Sequence, residues 1–402
     1  MKKQRWTRRR HRVIAAIVRP FLYLVTVLKY HVKIDRFAQE GTRNWLVLSN
    51  HQTDFDQFFV SLAFRQPVYY IAMEDLFSNG FLSRVIEWMV APIPFLKASS
   101  DARAVKNCFR VAREGGTIAL FPEGNRTYSG RTCYIRPSVA SLVKSLKLPI
   151  AIFRIEGGYG VKPRWADDIR GGTMHAGVQR IIEPEEYRNL SKEELYELIC
   201  RELWVDETTD PGLYPSKTAA EGLERVIYVC PHCGLSEFST QGDLLQCDHC
   251  GKQYRYLPDK RLEAVEGDTA FRYVADWYDY QERYIRSLDL TGYFQTPLYR
   301  DTADVVEVIV YDKKHPVLSA APVALFADRL EIGESSRMVL AYDDIKSMAC
   351  IADHKLNIFY QDTIYQLKGD RHFNALKYCN IFYHAKYIRE AHSDSEFQFL
   401  GL

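Results

Sequence analysis

A chain of 402 residues is too long to fold around one ordinary hydrophobic core, so its length predicts two or three domains. Hydrophobic residues make up 47% and charged residues 26% of the chain, and these proportions exclude an intrinsically disordered protein. The net charge is only +2, so bulk electrostatics indicates no polyanionic partner.

Positive charge is nevertheless concentrated at the N-terminus. Met1–Arg12 contain two lysines, five arginines, one histidine and no acidic residue. The apolar stretch 13–28 follows; it is shorter than the roughly 20 apolar residues of a spanning helix, and it includes Arg19 and Pro20. It also lacks the small-residue cleavage site of a secretory signal. We therefore predict a helix that lies in the interface of an anionic membrane, with a buried first helix and a solvated tail as the alternative.

From about residue 40 to residue 160, short apolar runs alternate with helical patterns, which predicts an α/β domain with a substantially parallel sheet. The predicted strands are Trp45–Ser49, Val68–Ala72, Thr117–Phe121 and Pro149–Phe153. The predicted helices are Asp54–Phe64, Gly80–Met89, Asp101–Glu114 and Ser138–Leu146. Ser191 and Glu194 then form a capping-box pattern that opens another helix.

The pattern breaks at residues 208–212, where proline and glycine mark a boundary. We predict an α/β domain with the interfacial helix at 1–225, a small cysteine module at 226–258, and an aromatic helix with a β-rich module at 265–402. In the last part about seven short strands precede a terminal helix at 373–389, and this order resembles the pleckstrin-homology-like fold. The predicted strands are Val305–Tyr311, Val317–Phe326, Arg329–Ile332, Met338–Ala341, Ile345–Ile351, Leu356–Tyr360 and Thr363–Leu367.

The first chemistry-bearing motif follows the strand that ends at Ser49. His51 and Asp56 stand five positions apart at the start of a predicted helix. A neutral hydroxyl is a poor nucleophile, and histidine is the side chain best suited to activate one near neutral pH. A carboxylate can hold the imidazole in one tautomer and stabilise its cation. We predict that Asp56 has this role, with Asp54 as the competitor.

The second motif is an apolar strand that runs into a polar turn at residues 121–126. Gly124 allows a sharp turn and a close approach to a ligand. Arg126 can grip a phosphate with two donors at once, and Glu123 can orient a hydroxyl or brace the arginine. In isolation, this stretch after a strand predicts only a turn.

Together the two motifs resemble the glycerolipid acyltransferase superfamily, which includes the 1-acylglycerol-3-phosphate acyltransferases. Asn50, His51 and Asp56 match its Asn-His-x4-Asp block, and residues 121–126 match its Phe-Pro-Glu-Gly-Thr-Arg block, in the same order. The resemblance covers roughly residues 10–205. It implies that 1–225 is an acyltransferase domain.

The resemblance also implies residue roles. His51 would remove a proton from the acceptor hydroxyl and Asp56 would orient His51. The substrate-binding residues would be Lys97, Glu123, Gly124, Asn125 and Arg126. Lysine at 97 replaces the usual arginine, Asn125 and Thr127 replace the commoner threonine and serine, and Arg136-Pro137 stands near the place of a family glycine.

The implied reaction transfers a fatty acyl group from an acyl thioester, on coenzyme A or acyl carrier protein, to lysophosphatidic acid. The product would be phosphatidic acid, made at the cytoplasmic face of a membrane by a peripheral or monotopic enzyme. Two alternatives stay open. The acceptor could be another lysophospholipid, or the chain could be a non-catalytic lipid-binding adaptor that keeps the scaffold.

The third motif comprises two Cys-x-x-Cys-Gly turns thirteen residues apart, at Cys230, Cys233, Cys247 and Cys250. Four thiolates at this spacing predict a zinc ribbon at 226–258. Because four cysteines leave no open coordination position, the zinc would be structural, and iron is the alternative metal. The few basic residues nearby argue against nucleic-acid binding. The five other cysteines show no pairing pattern, which is typical of a reducing compartment.

Overall fold

The computed structural model describes residues 5–95, 102–310, 312–336 and 338–390. The chain divides into two units. The first comprises Met1–Pro163 and Ile169–Tyr214. The second comprises Arg164–Asp168 and Pro215–Leu402.

The first unit contains a seven-stranded sheet with the strand order β1-β7-β6-β2-β5-β3-β4. The five strands from β2 to β6 run parallel to one another, whereas β7 is antiparallel to β6 and pairs in parallel with β1. The strands are β1 (Val32–Ile34), β2 (Leu46–Ser49), β3 (Val68–Met73), β4 (Ile93–Phe95), β5 (Thr117–Leu120), β6 (Ile150–Glu156) and β7 (Met174–Ile182).

Helices cover both faces of this sheet. Along β2, Leu46 and Leu48 pack into one core cluster and Val47 into another, so the strand is buried on both sides. This explains why the central strands read as continuous apolar runs in the sequence. The helices are α1 (Arg9–Tyr30), α2 (Asp56–Ala63), α3 (Phe81–Val90), α4 (Ala102–Arg113), α5 (Ser138–Leu146), α6 (Gly158–Val161), α7 (Pro184–Tyr187) and α8 (Lys192–Leu203).

Helix α1 exposes a long apolar stripe on one side. Ile17, Phe21 and Leu28 are each about two-thirds exposed, at 70%, 67% and 68%. The helix has 22 residues and, by length and composition alone, is long and apolar enough to cross a membrane. It therefore extends beyond the short apolar stretch from which the sequence argued for an interfacial helix. Its other side is packed, since His11 and Tyr30 are buried.

The second unit begins with the cysteine module. Its strands form a two-stranded and a four-stranded antiparallel sheet, and helix α9 (Val274–Arg286) packs on them. The indole of Trp277 in α9 is buried and donates to the carbonyl of Val229 at 2.8 Å. The aromatic segment is thus a packed helix. The strands are β8 (Val229–Cys230), β9 (Gly234–Leu235), β10 (Phe238–Gln241), β11 (Leu244–Cys247), β12 (Gln253–Tyr256) and β13 (Leu262–Ala264).

The rest of the second unit is a seven-stranded antiparallel sheet with the order β17-β16-β15-β14-β20-β19-β18, followed by helix α10 (Ala375–Glu390). Seven strands were expected here, and the first begins earlier than predicted. The strands are β14 (Tyr299–Glu307), β15 (His315–Leu325), β16 (Arg329–Ile332), β17 (Met338–Ala341), β18 (Ile345–Ile351), β19 (Lys355–Tyr360) and β20 (Thr363–Gly369).

Candidate active site and cysteine cluster

The two polar motifs meet because the strands that precede them are neighbours. Strand β2 leads into His51 and strand β5 leads into Glu123. The two strands pair in parallel, with Leu48 opposite Leu120, so their carboxyl ends lie at one edge of the sheet. Ligand sites of α/β folds are built at this edge.

His51 and Asp56 form the contact that the sequence predicted. Nδ1 of His51 lies 2.7 Å from Oδ2 of Asp56. Because the carboxylate accepts, the neutral ring carries its hydrogen on Nδ1, and Nε2 is left as the basic nitrogen. Among the described residues, Nε2 has no hydrogen-bond partner, and the His51 side chain is 20% exposed. The ring can therefore accept a proton from a bound molecule.

The Asp56 side chain is completely buried, and its carboxylate is held by further donors. Oδ2 accepts the backbone N–H of Gln52 at 2.6 Å and Oδ1 accepts the hydroxyl of Thr53 at 2.6 Å. The backbone N–H of Thr53 also points at this carboxylate. These donors offset the cost of burying a charge and close the turn that brings Asp56 back to His51.

Asp54, the competing carboxylate, has a different partner. The hydroxyl of Tyr30 donates to its Oδ1 at 3.3 Å, and its side chain is exposed. Among the described residues, Asp56 is the carboxylate that hydrogen-bonds the imidazole.

Glu123 joins the two motifs. Its Oε1 accepts the backbone N–H of His51 at 2.7 Å, and its Oε2 accepts the backbone N–H of Cys133 at 2.6 Å. The side chain is buried, and burial raises the pKa of Glu123 to about 8, while the hydrogen bonds from Cys133 and His51 act in the opposite direction. The carboxyl group therefore positions the backbone on both sides of the site.

The ring of His51 is also fixed from the second motif. It stacks on Phe121 with centroids 4.4 Å apart and planes inclined by 26°. The carbonyl of His51 accepts the backbone N–H of Thr127 at 3.0 Å. The histidine is thus held through its ring and through both of its backbone polar groups.

The 121–126 turn adopts the backbone that its glycine permits. Gly124 is exposed and has φ +72°, a left-handed conformation that other residues adopt at a cost. Asn125 is buried and Arg126 is half-buried. Burial and the negative charge of Asp54 raise the pKa of Tyr30, and the positive charge of Arg126 acts in the opposite direction. Lys97, the other predicted phosphate ligand, lies outside the described residues.

Sequence reasoning matched Asn50 to the family block but assigned it no role. Its amide donates to the carbonyl of Ile155 at 2.8 Å, and its Oδ1 accepts the N–H of the same residue at 2.8 Å. Asn50 thereby continues the pairing between β2 and β6 with its side chain. An asparagine directly after a predicted strand was the local signal in the sequence, and its partner lies 105 residues away.

The four predicted cysteine ligands converge in the second unit. The Sγ atoms of Cys230, Cys233, Cys247 and Cys250 all lie within 4.8 Å of one another. Cys230 and Cys250 are separated by 3.7 Å and Cys233 and Cys247 by 3.6 Å. A tetrahedral zinc ion with Zn–S bonds of about 2.3 Å needs sulfur separations of about 3.8 Å. The cluster therefore fits a metal of this size.

Two polar groups lie beside the sulfur atoms of the cluster. The hydroxyl of Ser236 lies 3.1 Å from Sγ of Cys247, and the backbone N–H of His232 donates to Sγ of Cys230 at 3.4 Å. Nε2 of His232 lies 3.1 Å from the hydroxyl of Tyr254, and His249 is exposed. In the described structure, neither histidine belongs to the cluster.

Comparison with known proteins places the first motif pair in a family. The sequence model of the acyltransferase family matches residues 29–155, which include His51, Asp56 and the 121–126 turn. This segment is an acyltransferase domain similar to those of the glycerolipid acyltransferase superfamily. We therefore refer to the first unit as the acyltransferase unit.

A curated relative of the acyltransferase unit is the chloroplastic 1-acyl-sn-glycerol-3-phosphate acyltransferase BAT2 of Brassica napus. The two proteins are 22% identical over 136 residues, which is 34% of this chain and 38% of the relative. The chain thus spans less than half the length of the relative it matches. Among solved structures, the 1-acyl-sn-glycerophosphate acyltransferase PlsC of Thermotoga maritima is similar, with a TM-score of 0.40 and 19% identity over 48% of this chain and 77% of that chain.

Proposed function

We propose that the chain is an O-acyltransferase that moves a fatty acyl group from an acyl thioester to the free hydroxyl of lysophosphatidic acid, giving phosphatidic acid. The observation that carries the proposal is the contact between His51 and Asp56, with Nε2 of the imidazole unpartnered among the described residues. The relative named above acts on 1-acyl-sn-glycerol-3-phosphate, which supports this acceptor.

In the proposed reaction, Nε2 of His51 takes the proton of the acceptor hydroxyl as the oxygen attacks the thioester carbonyl. The carbon–sulfur bond then breaks, and the imidazolium returns the proton to the leaving thiolate. Asp56 stabilises the imidazolium, since its carboxylate already accepts from Nδ1. The reaction needs no covalent acyl-enzyme and no metal-bound group.

The acceptor phosphate would be bound at the 121–126 turn. Arg126 supplies two donors for the phosphate, Gly124 lets the backbone approach it, and Asn125 and Lys97 complete the predicted binding set. Glu123 would position the backbone around this pocket, because both of its oxygens accept hydrogen bonds from backbone amides. The acyl donor is proposed to be acyl-coenzyme A or acyl carrier protein.

The second candidate function is a non-catalytic lipid-binding adaptor. The intact pair of His51 and Asp56 favours the enzyme, because an adaptor needs no buried carboxylate behind a histidine. A third reading, transfer to another lysophospholipid, uses the same groups and differs only in the headgroup bound beside Arg126.

An assay of the purified protein with both donor types and a panel of lysolipid acceptors, read by mass spectrometry, separates these functions. We expect phosphatidic acid as the main product and a loss of about 10²- to 10⁴-fold in kcat for His51→Ala. His175→Ala is the matched control, since His175 is exposed on β7 of the same unit. A folded His51→Ala variant with full activity would leave the reaction without its base and would overturn the proposal.

We also propose that the enzyme is peripheral or monotopic at the cytoplasmic face of a membrane. The exposed apolar stripe of α1 and the exposed Phe81 and Trp88 of α3, at 81% and 55%, support contact with lipid. Arg19 lies in the middle of α1 and donates to the carbonyls of Phe64 and Arg65, which favours a helix that lies on the membrane over one that crosses it.

Vesicle flotation tests this placement. The double variant Ile17→Glu with Phe21→Glu should lose binding to anionic vesicles, while Leu213→Glu, at a residue 64% exposed in the same unit, should keep it. Equal binding by all three proteins would exclude α1 as the contact.

For the second unit we propose a zinc ribbon at 226–258, with a structural zinc ion on the four cysteines, and a pleckstrin-homology-like module within 265–402. The order of the seven strands and the helix after them support the second assignment. We keep 1–225 as the proposed extent of the acyltransferase domain.

A further inference from the structure

Helix α1 contacts both the N-terminal end and the C-terminal end of helix α2. Helix α2 is short, and its first residue is Asp56, the partner of His51. Anything that fixes the two ends of α2 therefore also fixes the carboxylate of the candidate active site.

At the C-terminal end of α2, Arg19 of α1 holds the backbone. Its guanidinium donates to the carbonyl of Phe64 at 2.6 Å and to that of Arg65 at 3.0 Å, with a longer contact to Ser61 at 3.4 Å. Carbonyls at a helix C-terminus have no partner within the helix and carry its negative dipole end, so a cation is favourable there.

At the N-terminal end of α2, Tyr30 holds the turn between His51 and Asp56. Tyr30 is the last residue of α1 and is 1% exposed. Its ring packs on Phe55 at 4.6 Å between centroids and meets the edge of Phe59 at 6.1 Å. Its hydroxyl donates to Asp54 inside the turn. The contacts with Phe55 and Asp54 fall within two residues of Asp56.

We propose that Tyr30 is a positioning residue for the His51–Asp56 pair, so that the helix with the exposed apolar stripe also sets the geometry of acyl transfer. The inference rests on the proposed function for its effect on rate. Among the described residues, Tyr30 makes no hydrogen bond with His51 or Asp56. It acts on this pair by holding Asp54 and Phe55, which lie between His51 and Asp56 in the sequence. A small displacement of a general base can cost a large factor in rate.

The test compares Tyr30→Phe, which removes only the hydroxyl, with Tyr23→Phe. Tyr23 lies on the same helix and is 51% exposed, so it is a matched control. Two quantities are measured: steady-state kinetics, and deuterium uptake by mass spectrometry of a peptide covering residues 50–57. This peptide contains the amides of Gln52 and Thr53, whose hydrogens are bonded to Asp56.

We expect Tyr30→Phe to lower kcat about threefold to tenfold, with an unchanged KM for the acyl donor and unchanged vesicle binding. We also expect faster deuterium uptake in the 50–57 peptide, whereas Tyr23→Phe should match the wild type in both measurements. Tyr30→Ala should lose more activity than Tyr30→Phe, because the ring contact with Phe55 is lost as well.

Either measurement left unchanged in Tyr30→Phe overturns the proposal. An unchanged kcat means that the hydroxyl does not matter for transfer, and an unchanged uptake means that it does not act through the turn. Failure of the proposed function is recognised separately, because the wild type would then form no product with any acceptor. In that case the uptake alone decides whether Tyr30 positions the pair.

Discussion

The backbone N–H of His51 donates to Oε1 of Glu123 across the two motifs, at 2.7 Å, while Oε2 of the same carboxyl group accepts the N–H of Cys133. One buried side chain thus holds the loop of His51, the proposed general base, and the loop after the 121–126 turn. Two acceptor oxygens are required for this, and the first prediction follows from that requirement.

Glu123→Gln should impair the site although it keeps size and shape. An amide offers one acceptor oxygen and one NH₂ group, so either His51 or Cys133 would have its N–H opposed by another donor. We expect a loss of about 1–3 kcal/mol in the free energy of unfolding and a lower kcat. Urea unfolding and steady-state kinetics measure the two effects. Glu193→Gln, at an exposed position on α8, should change neither, and equal behaviour of both variants would contradict the role given to Glu123.

The same residue predicts a pH dependence of stability. Burial raises the pKa of Glu123 to about 8, well above the usual range of a glutamate. Between these values the folded chain holds a proton that the unfolded chain has released, so the free energy of unfolding should fall as the pH rises from about 5 to about 8. The check is denaturation of the wild type and of Glu123→Gln at several pH values. The wild type should lose more stability across this window than the variant, and parallel curves would refute the assignment.

Asp56→Asn should abolish most of the activity. The asparagine amide would turn a donor toward the N–H groups of Gln52 and Thr53 or toward Nδ1 of His51, so the imidazole would lose its orientation and the stabilisation of its cation. We expect kcat to fall by about 10²- to 10⁴-fold. The matched control is Asp35→Asn, which changes an exposed carboxylate of the same unit. Retention of wild-type kcat by a folded Asp56→Asn variant would show that His51 acts without a carboxylate.

Asn50→Ala and Asn50→Asp should both destabilise the acyltransferase unit. Alanine removes both hydrogen bonds to Ile155, and aspartate keeps the acceptor but loses the donor to the carbonyl of that residue. A buried backbone group without a partner costs about 1–3 kcal/mol. Thermal unfolding should therefore shift downward for both variants. An unchanged midpoint for Asn50→Ala would mean that the side chain does not carry the pairing of β2 with β6.

The cysteine cluster predicts one zinc ion per chain. Cys230→Ser should remove the metal and destabilise the second unit, because three thiolates and a hydroxyl bind zinc far more weakly than four thiolates. Cys200→Ser, in helix α8 of the other unit, should keep a full complement of metal. Elemental analysis distinguishes zinc from iron directly. A wild-type chain that is folded and free of metal would refute the site.

The sequence predicted several elements closely, and strands β16, β17 and β18 of the second unit were predicted with their observed bounds. Helix α5 was predicted with its observed bounds, and strands β2, β3, β5 and β6 were placed within three residues at each end, because both of their faces are covered and their residues are almost all apolar. Strand β7 was missed because polar residues such as His175 and Gln179 interrupt its apolar run. Strand β4 has only three residues and includes Pro94, so no periodicity could reveal it.

The candidate site likewise combines contacts that the sequence could predict with contacts that it could not. The contact between His51 and Asp56 is local, and it could be predicted from the type and spacing of the two residues. The contacts of Asn50 with Ile155 and of Tyr30 with Asp54 depend on which strands and helices become neighbours in the fold. No local pattern contains that information, and both partners were therefore found only in the structure.

Helix α9 has a practical consequence for anyone who wishes to express the cysteine cluster by itself. Gln281 hydrogen-bonds the backbone of Val226, Tyr228 and Val229, and the indole of Trp277 donates to the carbonyl of Val229. A fragment cut at residue 258 would leave those backbone groups facing solvent or one another and would lose the indole beside Tyr254. A fragment that includes all of helix α9, through Arg286, retains them, and dissection of this chain should start from that limit.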